Sequence, residues 1–383
     1  MSHAERYLEL GLRLGKHVEG LVDAYYGPPE LQEQVEAEET IDAWQLAADA
    51  DTLLGELEDG WLRDQVRGCA TYAHVLAGDD ISYEDEVEGC YGVRPSKTAV
   101  SAYEDVHAEL DGLLPGEGSL YERRQAWRDQ HLVDGDITVA VLDELLPVLR
   151  ERTEALVALP DGEQVALEPV TDEPWWAFNY YLGDLRSRVV LNTDVPTTGS
   201  DLIHLGTHEV YPGHHTEHAV KEQLLIRERG AIEEGIQLVP TPQAVLSEGI
   251  AETGGEIVLD ADARGAAYAI LARHGIHLDP DLTERIATTL ERLRTVGLDA
   301  ALMLHSDGAT PEEAQAYIER WGLSTPDQAR QSVRFATDPT WRAYVITYSA
   351  GRDLCRAFVN GDPARFRQLL TEPVRVGDLL ARL

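Results

Sequence analysis

Histidine residues are concentrated in one short segment of the chain, HLGTHEVYPGHHTEH at residues 204–218. This segment holds five of the 13 histidines in a chain of 383 residues. Imidazole is the commonest metal ligand in proteins, and crowded rings are costly unless something binds their nitrogens. The segment therefore predicts a metal site, and a polar helix face is the simpler alternative.

The spacing inside the cluster is unusual for a metal site on a helix. In the HExxH motif of zinc peptidases, histidines at i and i+4 share a helix face and reach one metal. Here His208 and Glu209 are followed by His214 at i+6, which on an ideal helix lies ~9 Å along the axis and ~240° around it. Because Pro212 and Gly213 disturb helical geometry, we expect a two-residue bulge that restores an arrangement like i+4.

A second metal-binding pattern overlaps the first. His214, Glu217 and His218 match HxxEH, the inverted form of the zinc-peptidase motif. Its two histidines have the i, i+4 spacing without any bulge, but it leaves His208 and Glu209 without a role. A hydrolase that uses His214 and His218 is therefore an alternative.

Four segments resemble one protein family. HEVYPGHH resembles the HExxPGHH signature of the family called domain of unknown function 885, bacterial proteins grouped with the zincin-like metallopeptidases. The resemblance covers about residues 170–355. Weaker similarity to the family lies in the segments EGIAE (248–252), ALMLHSDGATPEEA (301–314) and ITYSAG (346–351). The resemblance implies a zincin-like fold of the gluzincin type.

The same resemblance implies roles for the residues of the cluster. His208 and His214 would bind Zn²⁺, and Glu209 would be the general base of a hydrolase. His215 is adjacent to His214 and could exchange roles with it.

A catalytic zinc site needs a third protein ligand and one open position. Glu248, Glu252 and Glu256 recur at i, i+4 and i+8 after a helix start at Thr241-Pro242. EGIAE also resembles the EGFA-type segment of gluzincin aminopeptidases, whose first Glu binds metal, and this implies Glu248. Glu252 is then either an alternative ligand or a carboxylate that orients a histidine.

Residues further along the chain are candidates for contacts with a substrate. We expect Tyr348 and His305 to donate hydrogen bonds to a developing oxyanion and Arg334 to bind a substrate carboxylate. The strand predicted at 187–193 offers an edge to which an extended peptide could add. The aromatic run at 175–178 is expected to pack in the core or the hairpin.

The balance of charged residues limits the classes of binding partner that we expect. Asp and Glu outnumber Lys and Arg by 69 to 32, which gives a formal net charge of −37. Such a charge disfavours nucleic acid and anionic membranes as partners. No apolar run approaches the ~18 residues of a membrane span, and the amphipathic N-terminus is unlike a secretory signal. We therefore expect a cytoplasmic protein.

The element pattern predicts a mainly α fold. Residues 1–155 are expected to form an N-terminal helical region. Residues 156–383 are expected to form a zincin-like catalytic region that packs with it as one unit and contains a small antiparallel β-sheet at 164–194, with Gly183-Asp184 as a hairpin turn.

The expected function is a zinc-dependent hydrolase, most simply a metallopeptidase that cleaves a peptide or a small amide with Glu209 as general base. A catalytically degenerate zincin that serves as a metal-binding or interaction module is the alternative. The sequence indicates nothing about the oligomeric state.

Overall fold

The structure is a computed structural model that describes residues 1–173 and 175–382. Its architecture is mainly helical, which confirms the prediction of a mainly α fold. Most of the first 155 residues are helical. The helices are α1 (His3–Gly15), α2 (Pro29–Ala37), α3 (Ala43–Glu56), α4 (Trp61–Ala77), α5 (Tyr83–Tyr91), α6 (Val100–Leu113), α7 (Leu120–Asp129) and α8 (Gly135–Leu156). Two short strands, β1 (Val22–Tyr25) and β2 (Leu132–Val133), lie between them. Helix α8 continues through Pro147.

A three-stranded sheet follows α8, and it is mixed rather than antiparallel. It consists of β3 (Gln164–Val170), β4 (Ala177–Gly183) and β5 (Arg186–Asn192) in the order β3-β5-β4. Strands β4 and β5 form the predicted hairpin, and its turn residues Gly183 and Asp184 have φ angles of 72° and 51°. Strand β3 is parallel to β5, so the prediction of a purely antiparallel sheet was wrong.

The strand predicted at 187–193 is not an edge. Strand β5 pairs with β3 on one side and with β4 on the other, so its backbone has no free hydrogen-bonding edge. Within the described part of the sheet, β4 pairs with β5 alone. An extended ligand could therefore add only to one of the two outer strands, β3 or β4.

The remainder of the chain is again mainly helical and carries two short strands, β6 (Thr197–Thr198) and β7 (Ile236–Leu238). Its helices are α9 (Gly199–Leu205), α10 (His214–Lys221), α11 (Pro242–Val258), α12 (Ala261–Arg273), α13 (Pro280–Glu291), α14 (Thr295–His305), α15 (Pro311–Trp321), α16 (Pro326–Thr337), α17 (Arg352–Val359), α18 (Pro363–Thr371) and α19 (Val376–Leu380). Helices of π type cover Gly206–Val210, Glu222–Glu228 and Thr347–Gly351, and 3₁₀ turns cover Ile232–Gly235 and Tyr344–Ile346.

Two strand pairs join distant parts of the chain. Strand β1 pairs antiparallel with β7, and β2 pairs antiparallel with β6. The largest buried cluster runs from Tyr7 to Leu379 and includes residues from both of the predicted regions. The boundary at residue 155 itself stays a prediction. No helix in the described part of the chain has the length and apolar character that a bilayer span requires.

Candidate metal centre

The histidine cluster folds into two helical pieces with a break between them. Helix α9 continues into the π-helical turn Gly206–Val210, and α10 begins only at His214. The bond between Tyr211 and Pro212 in the break is cis. A helix end and a new helix therefore replace the expected bulge within one helix. They bring the rings of His208 and His214 to a centroid distance of 4.8 Å.

Glu248 on α11 faces both of these rings. Its Oε2 lies 3.6 Å from Nε2 of His208, and its Oε1 lies 3.9 Å from Nε2 of His214. Ligand atoms of the three side chains all lie within 4.8 Å of one another. Donor atoms around a tetrahedral zinc ion, each at about 2.0–2.1 Å from it, are roughly 3.4 Å apart. Glu248 Oε2 is buried without a hydrogen-bond partner, so the arrangement suits a zinc ion.

A chain of buried hydrogen bonds defines which tautomer the neutral ring of His214 adopts. The Ser247 hydroxyl donates to Glu217 Oε2 at 2.7 Å, and Lys221 Nζ donates to Glu217 Oε1 at 2.7 Å. Because the only proton of Ser247 is used in this way, its oxygen must accept from Nδ1 of His214, 3.1 Å away. Nε2 of His214 is therefore left with a free lone pair toward Glu248.

The surroundings of His208 also favour the neutral imidazole that a metal needs. Burial, with the adjacent His214, His204 and Arg294, holds the pKa of His208 well below its usual value. Its Nδ1 faces Glu252 Oε1 at 3.6 Å, on the side of the ring opposite to Glu248.

Glu252 belongs to a second group of potential ligands. It forms an ion pair with Arg294, and its Oε1 is 3.8 Å from Nε2 of His204. His204, His208 and Glu252 form this group. Both groups contain His208, and Glu252 lies where a carboxylate that orients the His208 ring would lie.

Glu209 lines a cavity of about 300 Å³ beside these ligands. Burial raises the pKa of Glu209 to about 8, and the nearby carboxylates of Asp23 and Glu252 add to the shift. The backbone carbonyl of Glu209 accepts a hydrogen bond from Asn179 Nδ2 at 2.5 Å, which links the π-helical turn to β4. The cavity wall also includes Trp176, Ala177, Phe178, His218, Gln237, Ala244, Trp341, Tyr344 and Tyr348.

Two tyrosines from the C-terminal part of the chain face α11. Tyr344 donates a hydrogen bond to Glu248 Oε1 at 2.7 Å, and Tyr348 is 39% exposed within the cavity. The close approach of α11 to the π-helical turn Thr347–Gly351 requires glycine at position 249. A Cβ there would lie 2.2 Å from the carbonyl oxygen of Gly351. The Gly of EGIAE thus has a packing role.

The alternative ligands His215 and His218 lie in different surroundings. Both ring nitrogens of His215 are used, Nδ1 with Ser187 Oγ and Nε2 with Glu163 Oε2, each at 2.8 Å. His215 is therefore not available to exchange roles with His214. His218 lines the cavity but belongs to neither ligand group. Both carboxylate oxygens of Glu217, the acid of HxxEH, are occupied by Lys221 and Ser247.

His305 and Arg334 lie away from the cavity. The His305 ring stacks on Tyr83 at 4.6 Å, and its Nε2 donates to the carbonyl of Ala336 at 2.7 Å. Arg334 is exposed on α16. Neither side chain lines the cavity, so these two predicted substrate contacts are corrected. Of the three candidates only Tyr348 faces the site.

Several residues of the site were missed by sequence reasoning. These are Asp23, Asn179, His204, Ser247, Arg294 and Tyr344. Tyr344 precedes Tyr348 by four residues and Ser247 directly precedes Glu248, so their positions offered a signal. Asp23 lies in the N-terminal part of the chain, and nothing in its neighbours indicates a site. Trp176 and Phe178 line the cavity, where packing alone was expected.

Comparisons with known proteins show a similar fold. No protein-family profile and no curated protein sequence matches the chain. The crystal structure of a candidate lipoprotein from Colwellia psychrerythraea matches 92% of the chain with a TM-score of 0.50 at 16% identity, and the match spans 58% of that protein. A candidate lipoprotein of unknown function from Shewanella oneidensis matches 92% of the chain with a TM-score of 0.48 at 13% identity, over 69% of its length.

Proposed function

We propose that the protein is a zinc-dependent hydrolase of the zincin-like, gluzincin type that cleaves peptide or related amide bonds. The observation that carries this proposal is the convergence of His208, His214 and Glu248 beside Glu209 in one cavity. The similarity of HEVYPGHH and EGIAE to segments of the domain of unknown function 885 family supports the same function.

The residues of the chain supply most of the proposed chemistry. Zinc held by His208, His214 and Glu248 would polarise a substrate carbonyl and lower the pKa of a water molecule. Glu209 accepts the proton of the attacking water at its carboxylate and passes it to the leaving amine. A carboxyl group beside the metal ligands can fill this double role. The hydroxyl of Tyr348 donates a hydrogen bond to the developing oxyanion.

The position of β4 supports a peptide as the substrate. Residues Ala177, Phe178 and Asn179 of this strand line the cavity, and β4 pairs with β5 alone among the described strands. An extended peptide can add to such an edge by main-chain hydrogen bonds.

The alternatives have less support. A hydrolase of the HxxEH type would need Glu217 as its base, but that carboxylate is bound by Lys221 and Ser247 away from the cavity wall. A degenerate module that only binds metal would not need a carboxyl group like that of Glu209 beside the ligands. The net charge of −37 still disfavours nucleic acid and anionic membranes as partners. The description of the Colwellia protein as a candidate lipoprotein gives no support to a cytoplasmic location.

Metal analysis combined with a peptidase assay tests the proposed function. We expect about one zinc per chain, because three N and O ligands with an open position are typical of a catalytic zinc site. His208→Ala should lose both zinc and hydrolysis. His277→Ala, at an exposed histidine, is the matched control and should keep both. Purified protein without a transition metal, and without activity after zinc is added, would contradict the proposal.

A further inference from the structure

The carboxyl groups that line the cavity would leave an excess of negative charge even with a divalent metal ion bound. The cavity wall contains four carboxyl groups, Asp23, Glu209, Glu248 and Glu252, and no Lys or Arg. A divalent metal ion offsets Glu248 and Glu209, and Arg294 pairs with Glu252. With such a metal bound, the carboxylate of Asp23 would be the negative charge of the wall that no described residue pairs with.

Asp23 lies in β1, which pairs with β7, and it lines the cavity. Its side chain forms no hydrogen bond or ion pair with any residue that the structure describes. Asp23 is exposed, although the surrounding protein atoms raise the pKa of its carboxyl to about 6. The carboxylate is also close enough to raise the pKa values of Glu209 and Glu248. It therefore faces the same space as the proposed catalytic groups.

A second polar group of the cavity is also without a partner. His218 is only 6% exposed, it lines the cavity, and its Nδ1 has no hydrogen-bond partner in the described part of the chain. Because buried polar atoms are almost always paired in folded proteins, an unpaired nitrogen is an uncommon feature of the wall. Asp23 and His218 thus line one cavity with unused hydrogen-bonding capacity.

Aromatic rings lie near the free carboxylate. Trp341, Tyr344 and Tyr348 line the same cavity. The Trp341 ring lies against the loop that leads into β1, since a Cβ on Gly20 would be 3.7 Å from Cζ2 of Trp341. A carboxylate combined with exposed aromatic faces is a favourable environment for an organic cation, which gains both an ion pair and a cation–π contact.

We propose that Asp23 is a specificity-determining residue that binds a cationic group of the substrate, either its α-ammonium group or a lysine or arginine side chain. This inference rests on the proposed function, because it places the cation within a substrate that reaches Glu209. It predicts a preference for peptides with a positive charge near the scissile bond.

The test measures peptide binding separately from turnover. Two pairs of probes differ in one charge each: Ala-Phe-Ala amide against its N-acetyl form, and N-acetyl-Ala-Lys-Ala amide against its norleucine analogue. Binding is measured by calorimetry on zinc-loaded Glu209→Gln, with and without Asp23→Asn. We expect the charged member of at least one pair to bind about tenfold more tightly, as a charge-assisted hydrogen bond allows. A preference in the first pair identifies the α-ammonium group, and one in the second identifies the side chain.

Asp23→Asn should remove this preference and leave the affinity for the uncharged probes within about twofold. Asp161→Asn, at an exposed aspartate outside the cavity, is the control and should keep it. Equal binding of charged and neutral probes, or a preference that survives Asp23→Asn, would overturn the assignment even if the wild-type protein hydrolyses peptides. Cation-selective binding that depends on Asp23 in a protein that hydrolyses no peptide would instead contradict the hydrolase and leave the Asp23 assignment in place.

Discussion

The α-carbon of Gly213 lies directly against the backbone carbonyl of His208. A Cβ at position 213 would be 1.7 Å from that oxygen and 2.6 Å from the carbonyl oxygen of Thr207. The chain can therefore fold back on the end of the π-helical turn only because residue 213 has no side chain. This contact allows two histidines six residues apart to face one carboxylate.

Replacement of Gly213 by alanine should disrupt the metal centre. The added methyl group cannot be accommodated without a shift of backbone, so we expect a loss of about 3 kcal/mol or more in the free energy of unfolding. Zinc content should fall with it. Gly265→Ala is the matched control, because Gly265 lies in α12 with nothing within 4 Å of its added Cβ. There, alanine should leave stability unchanged or raise it by up to about 1 kcal/mol. Equal behaviour of the two variants in urea unfolding would contradict this view of Gly213.

Alanine variants of three histidines distinguish the possible ligand sets. His208→Ala should remove zinc, because His208 faces both Glu248 and Glu252. His218→Ala should keep most of it, since His218 belongs to neither ligand group. His215→Ala should lower stability through the loss of its bonds to Glu163 and Ser187. Elemental analysis and thermal unfolding of the three proteins measure these effects. Zinc loss from His218→Ala alone would favour the HxxEH pattern.

Sequence reasoning located the features that depend on residues close together in the chain. The His208-Glu209 pair, the i, i+4 spacing of Glu248 and Glu252, and the Gly183-Asp184 turn all depend on neighbouring residues, and periodicity or turn preferences reveal them. His305 and Arg334 were placed wrongly because a single polar residue on a helix does not indicate what that helix packs against. Asp23 reaches the cavity through the pairing of β1 with β7. Such a pairing over more than 200 residues has no local sequence signal.

Glu209→Gln should separate catalysis from metal binding. Glutamine keeps the shape of the side chain but cannot accept a proton, so hydrolysis should fall by about 10²–10⁴ while zinc content stays the same. Glu104→Gln changes an exposed glutamate on α6 and should have no effect. A loss of zinc from Glu209→Gln would identify Glu209 as a ligand. Full activity would mean that another group is the base.

Ser247→Ala should weaken metal binding without removing a ligand. The change breaks the chain from His214 through Ser247 to Glu217, so the His214 ring is no longer oriented. We expect a decrease of about 10–100-fold in zinc affinity, as is typical for groups that hold a ligand in place. Ser247→Thr, which retains the hydroxyl, tests whether the hydroxyl itself is responsible. Competition with a zinc chelator measures the affinities, and equal values for wild type and Ser247→Ala would contradict the role of this chain.

Glu163 should contribute to stability in a manner that depends on pH. Burial alone would raise its pKa, but hydrogen bonds from His215, Tyr211 and Arg150 outweigh burial and lower the pKa to about 2. Because the folded pKa lies below the unfolded value near 4.5, the stabilisation is complete above about pH 4.5 and is lost as the pH falls toward 2.

Glu163→Gln should therefore destabilise the protein at pH 7 by up to about 3 kcal/mol, which is the equivalent of this pKa difference. The gap between wild type and variant should narrow as the pH falls below 4.5. The control is Glu168→Gln in β3, the strand that directly follows Glu163. The side chain of Glu168 is 46% exposed, so this change should alter stability little at either pH. Urea unfolding at pH 7 and pH 3.5 gives both values, and a gap that widens in acid would contradict the role of Glu163.

The order of the cavity residues along the chain has a consequence for when the site is completed. Synthesis proceeds from the N-terminus, so a growing chain contains Asp23 and the histidine cluster well before Trp341, Tyr344 and Tyr348 have been added. Such an intermediate holds every proposed zinc ligand once residue 248 has emerged, but its cavity lacks Trp341, Tyr348 and the Tyr344 hydroxyl that contacts Glu248. Under the proposed function, a growing chain would therefore contain its zinc ligands before its cavity is enclosed. Hydrolysis as proposed would need Tyr348, and it would therefore begin only after that residue has been added.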